Sequence, residues 1–380
     1  MPLSIAILGT RGIPANYGGF ETFAQELGLR LVERGHQVTV YCRSHHTPRD
    51  LGTFQGVRLV VLPTIRHKYF DTVVHSLVSS LHALGARHDV VLLCNAINSS
   101  FIPLIKASGA RVAINVDGLE WQRKKWNSLG KACYRVSEKI ACLAADVIVS
   151  DSQTVRAYYR AVHRTPTVFI PYGAPTDKTE RNGTLERFGL EAGKYILYVS
   201  RFEPENNAHL VLEAFKKVRT ELKLVMVGDA PYAQRYIAKL KKTAGPRALF
   251  TGYLFGDPYR ELMSRAYCYV HATEVGGTHP ALVEAMGMGN GVLVADTPEN
   301  REVVGDTALI FSLTEPESLA ETIRFALEKA DRLDELSGEA RTRVSTLYSW
   351  DRVTDAYESL LLSLTQPDRV PDTPERVGST

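Results

Sequence analysis

The chain has 380 residues, more than one domain usually contains, so its length predicts two domains. Apolar residues make up 44% and charged residues 23%, as in a globular protein with a full core, and the formal net charge of +3 does not indicate a surface for duplex nucleic acid. Five scattered cysteines without a CxxC pair give no zinc site, and three of them lie in apolar strand-like runs, as is typical of buried thiols in a reducing compartment.

The first residues enter an apolar run almost at once, and no signal peptide is expected before it. No apolar run approaches the ~20 residues needed to span a bilayer. The sequence therefore predicts a cytoplasmic protein that at most lies peripherally on the inner face of the cell membrane.

Short apolar runs alternate with helical segments along the first half of the chain. Most runs are continuously apolar rather than alternating in polarity, as in parallel strands that are covered on both faces. Glu21–Arg34 is predicted to be a helix that ends at Gly35. The predicted strands are Ile5–Leu8, Val38–Cys42, Val57–Leu62, Val90–Cys94, Val112–Val116, Val147–Ser150 and Val168–Pro171.

The same alternation restarts after a turn-rich linker near residues 172–184. Its predicted strands are Tyr195–Ser200, Leu222–Val227, Leu249–Thr251, Cys268–His271, Gly291–Ala295 and Leu309–Phe311. The chain is therefore predicted to be an α/β protein of two facing Rossmann-like domains with parallel sheets, residues 1–173 and 174–349. A final helix at 350–365 has one apolar stripe and must dock, and 366–380, rich in Pro, Asp and Thr, is predicted to be a disordered tail.

A glycine-containing loop, Gly9–Thr22, joins the first strand to the first helix. Backbone N–H groups of such a loop, at Gly18 and Gly19, approach an anionic ligand at the helix N-terminus, although a plain strand-to-helix turn has the same pattern. The spacing is not GxGxxG, and no acidic residue ends the second strand. Both features argue against a nicotinamide dehydrogenase.

Two loops of the second half also follow strands. In His271–Met286, Pro280 suits the first position of a helix whose unpaired N–H groups face the cleft. Glu284 lies one turn into that helix, where its carboxylate accepts from ligand hydroxyls or simply satisfies the helix N-terminus. In Tyr198–Asn207, the planar guanidinium of Arg201 suits a diphosphate, unless it is only solvated.

With these motifs the sequence resembles the retaining glycosyltransferases of family 4, which have the GT-B architecture of two Rossmann-like domains. The resemblance covers nearly the whole chain and includes Gly35–Val38, Ser200-Arg201, Thr251–Tyr253, Glu284–Val292 and Ser349–Asp351. It implies that the first domain binds the acceptor, that the second binds the nucleotide-sugar, and that the final helix crosses back to the first domain.

Longer motifs resemble the branch that contains bacterial rhamnosyltransferases of polysaccharide assembly. They are Gly9–Thr22, Asp117–Trp121, Glu203–Asn207 and Gly276–Pro280. The resemblance implies transfer of L-rhamnose from dTDP-L-rhamnose to a saccharide acceptor in cell-surface polysaccharide synthesis. It also implies that the acceptor is a lipid-diphosphate-linked sugar. Another UDP-, GDP- or dTDP-sugar is the alternative donor.

The sequence departs from the wider family at two positions. Gly276 stands where the first glutamate of a Glu-x7-Glu motif is expected, and Asn206 stands where a lysine is expected five residues after the loop arginine. Backbone N–H groups of Gly277–His279 and the side chains of Asn206 or His279 are the expected substitutes, with Glu274 a less favoured one. The predicted donor-binding residues are Gly18, Gly19, Arg201, Asn206, Asn207, Tyr253, Leu254, Gly277, Thr278, His279 and Glu284.

The implied reaction breaks a glycosyl–phosphate bond, and the predicted catalytic residues are Asp117, Arg201 and Glu284. Arg201 and the helix N-termini would stabilise charge on the leaving diphosphate. Asp117 would orient the acceptor hydroxyl or act as an auxiliary base, its alternative role being that of a turn residue. No DxD-type pair follows a strand, so neither a metal nor another cofactor is expected.

Two other functions fit the same architecture. A sugar-nucleotide 2-epimerase would cleave the donor without a separate acceptor, and a non-catalytic protein would only bind a sugar-nucleotide or polysaccharide. Product analysis with and without acceptor distinguishes the epimerase, and steady release of nucleoside diphosphate excludes the binding protein.

Residues 120–140 contain six basic and two acidic side chains, an excess of four positive charges. Indole rings favour the headgroup depth of a membrane and cations favour anionic lipid. The predicted acceptor and membrane patch consists of Trp121, Arg123, Lys124, Lys125 and Trp126. The alternative is a solvated helix face with buried tryptophans.

Overall fold

A computed structural model describes residues 1–67, 70–124, 126–179 and 183–365. Within these residues, one sheet has eight strands in the order β3-β4-β2-β1-β5-β6-β7-β8, and all neighbours are parallel except the hairpin of β3 and β4. The strands are β1 (Ser4–Leu8), β2 (Gln37–Arg43), β3 (Thr53–Phe54), β4 (Val57–Leu62), β5 (Val90–Cys94), β6 (Arg111–Asn115), β7 (Val147–Ser150) and β8 (Val168–Phe169).

The second sheet, in the later part of the chain, is parallel throughout and has the order β11-β10-β9-β12-β13-β14. Its strands are β9 (Tyr195–Val199), β10 (Lys223–Val227), β11 (Ala248–Gly252), β12 (Cys268–His271), β13 (Gly291–Ala295) and β14 (Leu309–Phe311).

Helices connect the strands and cover the sheets. The α-helices are α1 (Gly19–Glu33), α2 (Phe70–Ala86), α3 (Ile102–Lys106), α4 (Ser128–Ala144), α5 (Gln153–Tyr158), α6 (Thr184–Arg187), α7 (Ala208–Lys216), α8 (Gln234–Thr243), α9 (Gly256–Arg265), α10 (Pro280–Gly287), α11 (Pro298–Val304), α12 (Ser318–Glu328), α13 (Ala330–Leu347) and α14 (Trp350–Thr365). Short 3₁₀ segments are Ala96–Phe101, Glu120–Gln122 and Pro204–Asn206, and Tyr159–His163 is a π-helical turn. No helix among the described residues combines the length and the apolarity that crossing a membrane requires.

Each sheet separates two hydrophobic clusters. In β1, Ile5 and Ile7 belong to one cluster while Ala6 and Leu8 belong to the other, and all four are fully buried. Successive side chains of a strand point to opposite faces, so a strand covered on both sides must be continuously apolar. This explains why the strands are readable from the sequence as unbroken apolar runs.

Helix α14 returns from the second domain to the first. Its apolar stripe, including Trp350 and Tyr357, is part of the core of the first domain, and Asn115 Nδ2 donates to the Tyr357 hydroxyl at 2.8 Å. Glu358, further along the helix, accepts from Arg34 at 2.6 Å and lies 3.0 Å from His36 Nε2. The helix begins beside the linker, where the Ala174 N–H donates to the carbonyl oxygen of Tyr348 at 2.8 Å, so the two crossings between the domains lie side by side.

The predicted α/β class, the two parallel sheets and the returning helix are confirmed. Every predicted strand is present, but the hairpin strand β3 was not predicted, because two residues beside Gly56 give no apolar run. The predicted tail lies outside the described residues.

Candidate active site

A cavity of about 460 Å³ lies between the two domains, where the carboxyl ends of their parallel strands face each other. This edge is where open parallel sheets usually bind ligands. Predicted donor-site residues in its wall are Gly18, Gly19, Arg201, Asn206, Tyr253, Leu254, His279 and Glu284. Residues in the wall that were not predicted as site residues include Tyr17, Thr22, Gln25, Glu26, Ser200, Tyr259, Arg260 and His271.

The loop after β1 is held in place by the first turn of α1. Glu21 is 4% exposed and accepts from the backbone N–H of Arg11 at 2.8 Å. Burial raises the pKa of Glu21, although the Arg11 N–H and guanidinium oppose the shift. The Arg11 guanidinium in turn lies 3.3 Å from the centroid of the Tyr17 ring. These contacts fix the loop that ends in Gly18 and Gly19.

Gly19 meets the second domain directly. A Cβ atom on Gly19 would lie 3.0 Å from Cγ of Pro280, the first residue of α10. The glycine loop of one domain and the N-terminus of a helix of the other therefore close on the same space. The start of α10 at Pro280 agrees with the sequence, since proline suits the first helical position.

Glu284 lies one turn inside α10 and is 9% exposed, in the cavity wall. The hydroxyl of Tyr259, on the neighbouring helix α9, donates to Glu284 Oε2 at 2.5 Å. Burial raises the pKa of Glu284 to about 7, with the Tyr259 hydrogen bond and the Arg260 charge acting in the opposite direction. Glu284 is therefore a buried acceptor poised to gain from hydrogen-bond donors on a ligand.

Arg201 follows β9 and lines the cavity, and its guanidinium group stays protonated. Burial acts to lower the pKa of Arg201, but nearby negative charge raises the pKa above its usual value. The largest contribution comes from Glu203, whose Oε2 lies 3.9 Å from the guanidinium. Asn206 Nδ2 donates to the carbonyl oxygen of Arg201 at 2.6 Å, and the Tyr198 hydroxyl donates to the carbonyl oxygen of Asn206 at 2.5 Å. The amide of Asn206 thus braces the loop that presents Arg201.

Asn207, unlike Asn206, does not line the cavity. It is 3% exposed, and its Nδ2 donates to the carbonyl oxygen of Ala272 at 2.9 Å and to Glu274 Oε1 at 3.0 Å. The structure therefore places the Asn207 side chain behind the wall, where it ties two loops together. Glu274 is held between Asn207 and Lys124 of the first domain, whose Nζ is 3.1 Å from Glu274 Oε2.

Two neighbouring histidine rings, tilted 50° to each other, form part of the cavity wall. The rings of His271 and His279 have centroids 4.7 Å apart, and burial lowers the pKa of His271 to about 3 and that of His279 well below its usual value. Both rings are therefore neutral and offer one donor and one acceptor nitrogen each. His271 Nε2 and the Tyr253 hydroxyl have no hydrogen-bond partner among the described residues. The wall thus has polar groups ready for a hydroxylated ligand.

Asp117 stands just after β6, with a left-handed φ of 61°. Its backbone N–H donates to Asn115 Oδ1 at 2.9 Å. Burial and the charge of Glu120 raise the pKa of Asp117 to about 6, against the attraction of Arg123. A Cβ atom on the next residue, Gly118, would lie 2.7 Å from the carbonyl carbon of Gly276, so this turn lies directly against the glycine loop of the second domain.

Gly277 and Thr278 lie in the contact between the domains. Asp151, which follows β7 and is fully buried, accepts from the Thr278 N–H at 3.0 Å, and the Thr278 hydroxyl donates to the Asp151 carbonyl oxygen. A Cβ atom on Gly277 would lie 2.1 Å from Asp151 Oδ1. Asp151 was not singled out from the sequence, although a carboxylate at the carboxyl end of a parallel strand is a signal that would have found it.

The predicted membrane patch is corrected by the structure. Arg123 is 8% exposed, is ion-paired with Glu120 and lines the cavity. Trp126 packs on Tyr134 with ring centroids 5.3 Å apart, and Trp121 packs on Tyr158 at 6.1 Å. Both indoles are half-buried. Lys124 is exposed but reaches Glu274 across the cleft, and Lys125 lies outside the described residues.

Other groups in the wall gave no local sequence signal. Tyr259 and Arg260 lie on α9, and only the packing of α9 against α10 brings them to Glu284. Arg260 also lies 3.6 Å from Glu26 of the first domain. Within the described residues, no group of three or more His, Cys, Asp or Glu side chains is arranged to hold a metal ion.

Comparison with known proteins gives matches for both halves of the chain. Residues 193–329 match the family described as "Glycosyl transferases group 1", and residues 3–175 match a family described as "Domain of unknown function (DUF1972)". The structure aligns over 95% of the chain with 98% of sucrose-phosphate synthase from Thermosynechococcus elongatus, with a TM-score of 0.79 and 19% identity. It aligns equally far with the whole of Anabaena HepE in complex with UDP-glucose, with a TM-score of 0.77 and 17% identity.

The fold is therefore GT-B, and the match to the group 1 glycosyltransferase family lies within its second half, over residues 193–329. Among curated proteins, the Salmonella typhimurium lipopolysaccharide 1,2-N-acetylglucosaminetransferase is 27% identical over 56% of this chain and 60% of its own length. The Campylobacter jejuni N-acetylgalactosamine-N,N'-diacetylbacillosaminyl-diphospho-undecaprenol 4-alpha-N-acetylgalactosaminyltransferase is 25% identical over 44% of this chain and 46% of its own length. The chain spans about half the length of the curated relatives it matches.

Proposed function

We propose that this protein is a glycosyltransferase that moves a sugar from a nucleotide-sugar to a saccharide or lipid-linked acceptor. The observation that carries the proposal is that Arg201, Glu284 and the N-terminus of α10 line one cavity at the facing edges of two parallel sheets. An arginine and a helix N-terminus suit a diphosphate. A buried carboxylate suits the hydroxyls of a ribose.

The donor is proposed to lie with its ribose hydroxyls on Glu284 and its diphosphate near Arg201. Negative charge grows on the diphosphate as the glycosyl–phosphate bond breaks. Arg201 and the N-terminus of α10 are fixed in the cavity wall before reaction, so little reorganisation is needed to stabilise that charge. In a retaining reaction on one face of the sugar, the leaving phosphate takes the proton of the acceptor hydroxyl.

The acceptor is proposed to enter from the first domain. Asp117 stands at the carboxyl end of β6, and its carboxyl group is influenced by the charges of Arg123 and Arg201. With its pKa raised to about 6, Asp117 remains largely ionised at neutral pH and suits an acceptor-orienting hydrogen bond or auxiliary proton acceptance. No metal ion is assigned a part in these steps.

The sugar and the acceptor are narrower proposals. L-Rhamnose from dTDP-L-rhamnose is supported by the motifs at Gly9–Thr22 and Gly276–Pro280. UDP-N-acetylhexosamines are the competing donors, since two relatives are named for transferring N-acetylated sugars. The diphospho-undecaprenol in one of those names supports a lipid-diphosphate-linked acceptor and a role in cell-surface polysaccharide synthesis.

A donor panel tests the proposal. The purified protein would be incubated with dTDP-L-rhamnose, UDP-N-acetylglucosamine, UDP-N-acetylgalactosamine, UDP-glucose and GDP-mannose, with and without undecaprenyl- or short-chain diphosphate-linked sugars. Acceptor masses and nucleoside diphosphate release are measured together. Growth of an acceptor by one sugar supports the proposal. A changed donor sugar without any transfer would identify an epimerase, and donor binding without turnover would identify a binding protein.

A further inference from the structure

Helix α2 turns its apolar side to solvent. Its stripe recurs every three or four residues, and the members are 38 to 55% exposed: Phe70, Val73, Leu77, Leu81 and Leu84. The opposite face, toward the sheet, is buried and consists of small or polar side chains, among them Ser76, Ser79 and Ser80. This is the reverse of the arrangement that a helix covering a sheet in water usually has, so the exposed stripe calls for an apolar or interfacial environment.

Helix α4 exposes a second apolar stripe on the same side of the sheet. Leu129, Val136 and Leu143 are seven residues apart, which places them on one face, and they are 55 to 88% exposed. The 3₁₀ segment Ala96–Phe101 contacts both α2 and α4. Beside it Pro103 is exposed and Leu104 half-buried. The stripes of α2 and α4 and this connection form one surface, called the α2–α4 surface below.

The exposed charged side chains of α2 and α4 are all positive. Arg135 and Lys139 of α4 are exposed. The acidic residues within the two helices turn inward: Asp71 is ion-paired with Arg43 at 2.5 Å, and Glu138 is buried and accepts from the Tyr158 hydroxyl at 2.9 Å. The surface therefore presents apolar side chains and cations, while the carboxylates of both helices face the protein interior. Such a surface is complementary to an anionic, partly apolar interface.

We propose that the α2–α4 surface docks on an anionic lipid bilayer. Both helices have 17 residues and would lie flat in the interface, with their leucines at the boundary of the acyl chains and Arg135 and Lys139 among the headgroups. A second copy of the chain is a poorer occupant, because a two-fold symmetric contact would place the same cations against each other.

The surface continues toward the cleft. The Arg135 guanidinium of α4 lies 4.4 Å from the centroid of the Trp121 ring, and Arg123, two residues further on, lines the cavity. A bilayer on α2 and α4 would therefore lie beside the entrance on the first domain, from which a lipid-linked acceptor is proposed to come. Docking itself is measured without any sugar substrate, so its result is independent of the transfer reaction.

Co-sedimentation of the full chain with vesicles tests the proposal. One set contains phosphatidylglycerol and phosphatidylcholine, and the other contains phosphatidylcholine alone. The wild type should bind the anionic vesicles at low salt and lose affinity as salt is raised. Leu81→Glu with Leu143→Glu should weaken binding roughly tenfold or more, because apolar area leaves the interface. Arg135→Ser with Lys139→Ser should weaken it roughly tenfold to thirtyfold.

The matched control is Phe325→Glu, which removes a 43% exposed aromatic side chain from α12 in the second domain and should leave vesicle binding unchanged. Unchanged thermal unfolding of each variant shows that it is folded. The proposal is overturned if the wild type ignores anionic vesicles at low salt, or if both double variants bind like the wild type. It is also overturned if Leu81→Glu with Leu143→Glu only converts a dimer to a monomer, as measured by light scattering.

Discussion

The hydroxyl of Tyr259 donates to Glu284 Oε2 across the contact of α9 and α10. Burial raises the pKa of Tyr259 well above its usual value, so the phenol keeps its proton and keeps donating at any pH of interest. Burial also raises the pKa of Glu284, to about 7. Burial of the ionised Glu284 carboxylate therefore destabilises the folded protein in the absence of a ligand. Ligand hydroxyls would stabilise the ionised form, as expected at a binding residue.

This relationship predicts a gain in stability for Glu284→Gln. The carboxyl group of the unfolded chain ionises near pH 4.5 and that of the folded chain near pH 7, so between these values the unfolded state loses its proton first. Stability falls as the pH rises through this window and then stays lower, by about 3 kcal/mol. Urea unfolding should therefore find Glu284→Gln more stable than the wild type at about pH 8, with the difference shrinking toward about pH 5. Equal stability at the higher pH would contradict the burial argument.

Replacing Arg201 should affect turnover more than donor affinity. Charge on the diphosphate grows as the bond breaks, so an interaction with Arg201 strengthens in the transition state. Arg201→Ala should reduce kcat strongly, and Arg201→Lys should recover only part, because lysine lacks the planar fork. Steady-state kinetics with the donor that the panel selects measures both constants. A change confined to KM would show that Arg201 contributes only to binding.

Gly277→Ala should disturb the closure of the domains. Its Cβ would lie 2.1 Å from Asp151 Oδ1, and Asp151 is fully buried, so the Gly277–Thr278 loop must move away and lose its hydrogen bond to Asp151. Gly245→Ala is the control, since nothing lies within 4 Å of its Cβ. Small-angle scattering should show a larger radius of gyration, and kinetics a lower kcat/KM, for Gly277→Ala alone. Identical scattering and activity in the two variants would show that this contact does not hold the domains together.

Activity should survive a chelator. The diphosphate is proposed to be stabilised by Arg201 and the N-terminus of α10, without a carboxylate-bound cation. The transfer rate should therefore be the same within error in excess EDTA and in magnesium. A rate that vanishes with EDTA and returns with magnesium or manganese would refute this part of the mechanism.

The elements of the fold could be predicted from the sequence because both faces of each parallel sheet are covered. The continuously buried run Val90–Cys94 is an example, and it gives a signal within five residues. The start of α10 was predictable because Pro280 has a local preference for the first helical turn. In each case the cause lies close to the residue in sequence.

The remaining site residues depend on contacts between distant segments. Asp151 reaches Thr278 over 127 residues, and Tyr259 reaches Glu284 only through helix packing. The cluster of cations near Trp121 suggested an exposed patch, but the sequence could not show that Arg123 is buried and lines the cleft. The local composition of a segment does not show which of its charged side chains are buried in the folded protein.

The central claim is that the cleft binds a nucleotide-sugar and transfers its sugar, with Glu284 holding the donor. The most direct measurement is the rate of acceptor glycosylation, followed by mass spectrometry, for the wild type and for Glu284→Gln. Hydrogen bonds to a charged group contribute about 1.5–3 kcal/mol, so kcat/KM for the donor should fall roughly ten- to a hundredfold while the variant stays folded. Full activity of Glu284→Gln, or no glycosylated product from the wild type with any donor of the panel, would contradict the account.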